Sequence, residues 1–341
     1  MKQIISISAI FFAAVSLLLL SACGGDYAAE DDYVNYEHEN EYVYEHVHEH
    51  ENDISEDFAH PINSTEFFEF AAAQFAALQA IWDADGGDMW GVPLHSPVII
   101  FCSALEVIAA NQPDNVWDLE RIYVNGVTIY TGHSRMSSPF IFRGPWGGET
   151  GIFISYQYVM YDADFFVFAG TKDRTTAALG HINHYVMHAR QPALMGVYGG
   201  WRPAVYDGIR ENILLELDAL LLALATDGEE RLAAVRDALF IRQARREITG
   251  DYVNENLLKL SEGTAVYTQL LTTLSRQDSI MALANWTRDI SDDDDLSVAI
   301  SYGYIGGALY GLVLDAFEIE WRRQIVADTD LGQILKENLD L

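Results

Sequence analysis

The chain has 341 residues, half of them apolar, and carries 51 acidic against 20 basic residues for a formal net charge of -31. A surface of that sign repels phosphate backbones, which argues against a nucleic-acid partner. There are only two cysteines, Cys23 and Cys102, so no disulfide framework is expected to hold the fold.

The N-terminus begins with Lys2 and continues with an apolar run from Ile4 to Leu20, interrupted by Ser6, Ser8 and Ser16. A basic start before a short apolar core is the pattern of a secretory signal, although the run is near the minimum length of a membrane-spanning helix. The run ends in Leu20-Ser21-Ala22-Cys23-Gly24-Gly25. This resembles the lipobox of bacterial lipoproteins, in which the cysteine is acylated and becomes the first residue. The resemblance implies a signal peptide over 1–22 and lipid on Cys23. It also implies membrane lipid as a partner, at the extracytoplasmic face of the bacterial cell membrane. Each buried acyl methylene would add about 0.8 kcal/mol of anchoring. The alternative is an uncleaved anchor helix. With Cys23 lipidated, Cys102 has no partner in the chain. It lies in the apolar stretch Pro97–Cys102 and is expected to be a small buried hydrophobe.

Residues 23–62 form an acidic, His-rich spacer. Between Gly24 and His60 there is no Lys or Arg, while thirteen of the 51 acidic residues fall there. Uncompensated charge of this density opposes a packed core, so the segment is expected to be disordered and to hold the remainder off the membrane. It contains His38, His46, His48, His50 and His60, half of the ten histidines. The stretch Tyr44–Glu51 can bind a transition metal weakly. A plain polar tether is the competing reading, because nothing in the spacing fixes a coordination geometry.

Residues 63–341 read as one globular part of class α+β. Asn63, Ser64 and Thr65 offer cap oxygens, and Phe67, Phe70, Ala71, Phe75, Leu78 and Trp82 recur at helical spacing, which predicts a helix over 63–82. Asp85-Gly86-Gly87-Asp88 ends it. Residues 97–168 are β-rich: strands are expected at 98–101, 122–130, 140–142 and 152–160, with Asn125-Gly126 as a hairpin turn. From 175 onward the chain is mainly helical. Helices are predicted over 175–191, 206–225, 229–249, 254–274, 304–317 and 321–335, with an acidic loop at 292–295. A β-rich region followed by a helical region is the α+β order.

Two short stretches carry chemistry. In His181-Ile182-Asn183-His184-Tyr185-Val186-Met187-His188, residues 184 and 188 are four apart and share a helix face, so both can reach one metal ion. His181 lies on the same face, one turn earlier. The competing reading is a polar helix face of ordinary histidines. The second stretch is Glu262-Gly263-Thr264-Ala265-Val266-Tyr267. Together the two resemble the gluzincin metallopeptidases, which carry His-Glu-x-x-His on one helix and a third ligand Glu on a later one, often within Glu-Gly-x-Ala-x-Tyr. Arg190-Gln191, Tyr304-Ile305-Gly306-Gly307, Leu314-Asp315 and Trp321-Arg322 look like further parts of that resemblance, which covers about 98–325.

The resemblance implies a zincin-like domain with zinc as cofactor, and with His184, His188 and Glu262 as ligands. His181 would be a fourth ligand or a base. Where the family has its general-base Glu, this chain has Tyr185. A phenol of pKa near 10 is a poor base at neutral pH, and acid–base catalysis supplies roughly 10²–10⁴-fold in rate. The expected function is therefore that of a surface-anchored pseudoenzyme that binds peptide, protein or cell-wall material without cleaving it. The alternatives are an active metallohydrolase with another base and a structural surface protein without metal. Glu216 and Asp218, on the helix between the two motifs, are candidate substitutes for the base. Tyr267 and Tyr304 are candidate hydrogen-bond donors, weighed against ordinary buried tyrosines.

Overall fold

The structure, a computed structural model, describes residues 63–114, 117–134, 141–160, 173–197, 209–250, 252–292 and 295–341. The expected signal peptide, Cys23 and the spacer lie outside the described residues.

Helix α1 (Ser64–Asp85) starts on a capping box in which Asn63 Oδ1 accepts from Glu66 N at 3.0 Å and Glu66 accepts from Asn63 N at 3.3 Å. It ends at Gly86, whose φ of +54° is left-handed, the conformation glycine adopts without a Cβ penalty. Its buried face carries Phe67, Ala71, Phe75, Leu78 and Trp82. A six-stranded sheet follows, made of β1 (Val98–Cys102), β2 (Val107–Ala110), β3 (Glu120–Val124), β4 (Val127–His133), β5 (Ile141–Trp146) and β6 (Glu149–Ser155). Its order is β3-β4-β2-β1-β6-β5, and only the β1–β6 pairing is parallel. The expected turn at Asn125-Gly126 joins β3 to β4, with φ of 51° and 82°, as a two-residue hairpin requires.

Strand alternation sorts the sheet into two cores. Val98, Ile100, Cys102, Ile152 and Ile154 face the helices. Ile99, Phe101, Ile108, Trp146 and Phe153 form a smaller cluster on the opposite face, under Trp117 and Leu119. Cys102 is fully buried, as expected, and its Sγ accepts from Gln157 Nε2 at 3.4 Å.

The helical half contains α2 (Arg174–Met195), α3 (Arg210–Ala225), α4 (Gly228–Thr249), α5 (Tyr252–Leu258), a π-helical turn (Lys259–Gly263), α6 (Thr264–Thr273), α7 (Arg276–Asp289), α8 (Asp295–Ala316) and α9 (Leu331–Asn338). Helix α8 is its centre, packed on α3, α6 and the π turn. Val298–Ala316 is apolar and long enough to cross a membrane, but 94% of it is buried in the protein.

Two expectations are corrected. The strand expected over 152–160 stops at Ser155, and 156–160 are helical. Its partner β1 ends one residue after Phe101, the residue paired with Ser155, so no ladder exists beyond. The helix expected over 321–335 is a short 3₁₀ turn at Arg322–Gln324 and then α9, restarted by Asp330, whose side chain accepts from Gln333 N. Strand β2 and helix α7 were not expected. Val107–Ala110 is short and becomes a strand because the chain reverses at Glu106 (φ 53°) and pairs back on β1. Helix α7 is mostly polar, and only Ser279, Ala282, Leu283, Trp286 and Thr287 are buried.

Candidate metal centre

Helix α2 is buried along most of its length, which is unusual for a helix bearing three histidines. Gly180 makes this possible: a Cβ there would lie 3.2 Å from Gln269 Cγ and Thr273 Oγ1 of α6. Helices α2 and α6 therefore pack closely, and the histidine face points into the protein.

Glu262 reaches the same place from the π turn. Such turns insert a residue into a helix and often mark functional positions. The turn is pressed onto α8 by glycine contacts. A Cβ on Gly263 would lie 2.5 Å from Gly307 Cα and 2.9 Å from Gly303 O, and one on Gly307 would lie 2.5 Å from Lys259 O. This accounts for the glycine after Glu262 and for the glycine at 307. Tyr267, which closes the second motif, donates to Asp315 at 2.6 Å. Trp321 Nε1 (2.8 Å) and Arg322 (2.7 Å) also bond Asp315. The tail residues thus fix α6 to α8 and lie outside the metal group.

His184, His188 and Glu262 converge. His188 Nε2 is 3.0 Å from His184 Nε2 and 3.1 Å from Glu262 Oε2, and His184 Nε2 is 3.5 Å from Glu262 Oε2. Their exposures are 5, 2 and 2% in sequence order. Burial pushes His184 down to about 4 and so keeps it neutral at pH 7. Burial opposes ionisation of Glu262, but the charge of His188 and hydrogen bonds with both histidines outweigh it and hold the carboxyl well below its usual range. Around a zinc ion with bonds of about 2.1 Å, tetrahedral donors stand about 3.4 Å apart. The three separations fit that spacing, so the group can hold a metal ion. Its neighbours are Gln191, whose Oε1 is 2.9 Å from His188 Nδ1, and Ser261, whose Oγ donates to Glu262 Oε1 at 3.2 Å.

The other expected site residues are placed as follows. The His181 ring stacks on His184 at 6.2 Å between centroids and packs at 5.7 Å from Tyr158, but His181 is not part of the converging group. Tyr185 is buried, its ring edge-on to His181 at 5.0 Å and to His184 at 5.3 Å. The Tyr304 ring stacks parallel to His184 at 6.4 Å. Asp218 is exposed.

Glu216 belongs to a second buried group that sequence reasoning missed. It accepts from Arg245 (2.9 Å) and from Tyr310 (2.7 Å). Arg245 also bonds Glu255, Lys259 donates to Glu255 at 3.0 Å, and Arg242 and Arg246 bridge to Asp330. Sequence offered one signal, the arginines at 242, 245 and 246, since 242 and 245 share the apolar face of α4.

A cleft of ≈ 550 Å³ opens at the C-terminal end of α2, lined by Trp90, Leu194, Met195, Arg322 and Arg323 among others, and no metal-group residue lines it. No family model, curated protein or solved structure matches the chain.

Proposed function

We propose that the chain is a lipid-anchored extracytoplasmic protein whose globular part is a degenerate relative of the gluzincin metallopeptidases. In this reading His184, His188 and Glu262 hold one zinc ion, and the protein binds peptide, protein or cell-wall material without cleaving it. The observation that carries the reading is the convergence of three buried donors at metal-ligand spacing. Two imidazoles and a carboxylate form a borderline donor set that suits zinc. Zinc bound there would supply Lewis acidity, or a rigid cross-link between α2 and the π turn.

Two observations favour binding over hydrolysis. Tyr185 stands where the resemblance calls for a carboxylate, and the ligand side chains are almost wholly buried, whereas catalytic zinc keeps a position open.

The test is zinc titration of the full chain with the five spacer histidines changed to Gln, so that they carry no adventitious metal. One equivalent is expected to bind and to raise the melting temperature by linkage. The His184→Ala/His188→Ala double variant is expected to lose both effects. Unchanged zinc binding by that double variant would overturn the assignment.

A further inference from the structure

Gln191 is 1% exposed and touches both halves of the metal group through one amide. Its Nε2 donates to Ser261 O, to Leu260 O at 3.3 Å and to Thr264 Oγ1 at 3.0 Å. Thr264 Oγ1 spends its own proton on Leu260 O at 2.5 Å, so it faces Gln191 as an acceptor. All three neighbours on this side accept, and only an NH₂ group can face them. The amide orientation follows from the network, and Oε1 must be the atom 2.9 Å from His188 Nδ1. An amide oxygen only accepts, so Nδ1 carries the proton and donates. The second ring nitrogen, Nε2, is then the one that meets His184 Nε2 at 3.0 Å and Glu262 Oε2 at 3.1 Å.

We propose that Gln191 is a positioning residue for the metal centre: it fixes the Nδ1–H tautomer of His188 and at the same time clasps the π turn that carries Glu262. The inference rests on the reading of His184, His188 and Glu262 as a metal site for its consequence, but its tautomer claim stands on the hydrogen bonds alone. Partners that orient a ligating histidine commonly account for 10–100-fold in metal affinity. The geometry also separates Gln from Glu at this position. Glu would still accept from Nδ1–H, yet its second oxygen would meet two carbonyls and a hydroxyl oxygen with no proton to offer.

The test uses the full chain with spacer histidines changed to Gln, labelled with ¹⁵N-histidine, as wild type, Gln191→Met and Gln191→Glu. In the wild type, His188 is expected to show a protonated Nδ1, and with zinc bound an unprotonated Nε2. Gln191→Met is expected to lose that bias and to weaken zinc binding by about 10–100-fold. Gln191→Glu is expected to keep the tautomer and still bind zinc less tightly than wild type. A wild-type His188 without a proton on Nδ1 would overturn the proposal, as would unchanged Nδ1 protonation and zinc affinity in Gln191→Met. Should Gln191→Met fail to fold, the wild-type tautomer and Gln191→Glu decide the matter. Wild type with the expected tautomer but no zinc binding would sink the metal reading and leave the role of Gln191 toward His188 intact.

Discussion

In the proposed reading Tyr185 takes the place of the carboxylate through which a zinc peptidase moves protons, and it is buried and edge-on to the histidine rings. A phenol takes up and releases protons in the wrong pH range for this work. Zinc-loaded wild type is expected to leave a mixed peptide library intact, and Tyr185→Glu to gain a measurable rate. Wild-type cleavage that is abolished by chelator and by His184→Ala would reverse this reading. His184 carries a second consequence. Burial sets it at about 4 in the folded chain against 6.5 ordinarily. Between those values the unfolded chain binds the extra proton, so stability falls as pH falls. The metal-free protein is expected to lose about 2 kcal/mol between pH 7 and pH 5 from this group. Denaturant unfolding at the two pH values, compared with His184→Gln, checks it: an equal loss in the variant would assign the effect elsewhere. The histidine pair was legible in the sequence because i, i+4 spacing is local. Gln191 entered only as part of the resemblance and without a role, because its partners on and beside the π turn lie 69 to 73 residues away. His181 looked like a ligand on spacing alone, but seven residues before His188 it stands about 10 Å farther along the helix axis, and it is not among the converging donors.

Elements with a strong apolar stripe, such as α1 and α4, were readable from periodicity. Those shaped by tertiary contact were not. Strand β2 exists because β1 is beside it, and α7 is held through a few buried residues on a polar sequence. The π turn is the sharpest case. Nothing in Lys259–Gly263 distinguishes it from ordinary helix, and its position depends on the approach of α8. At Gly263 that approach leaves no room for a methyl group, since both nearest atoms, Gly307 Cα at 2.5 Å and Gly303 O at 2.9 Å, are backbone. Backbone cannot rotate away as a side chain can, so Gly263→Ala must push α8 and the turn apart. A cost of about 1–3 kcal/mol is expected from overpacking, together with weaker zinc binding as Glu262 moves. Thermal unfolding measures the first effect and zinc titration the second. A variant with the wild-type melting temperature and zinc affinity would show that the turn is not set by this contact.

At the scale of the whole molecule, charge and burial act together. Arg242, Arg245, Arg246 and Lys259 pair with Glu216, Glu255 and Asp330, and the four cations are 2 to 13% exposed at their side chains. Four of the chain's 20 basic residues are thus withdrawn from the surface. Removing one partner from such a group typically costs about 3–5 kcal/mol, because the other charges stay buried. The carboxylates that pair with them are withdrawn as well, so the surface that remains keeps the acidic excess of the composition. Bacterial membranes present anionic headgroups, and basic residues contribute about 1 kcal/mol each to adsorption on such a surface. This domain has few to offer, and its many carboxylates oppose adsorption. The one long apolar helix among the described residues, within α8, is already buried. In the proposed reading, membrane attachment comes from the N-terminal segment, through lipid on Cys23. Wild type is expected to incorporate labelled fatty acid and to stay with the membrane fraction in both high salt and alkaline carbonate. Cys23→Ala is expected to take up no label and to appear in the soluble fraction even at low salt, where surface electrostatics are strongest. If Cys23→Ala instead remains membrane-bound, and wild type takes up no label, the run from Ile4 to Leu20 is an uncleaved anchor and the lipoprotein reading fails.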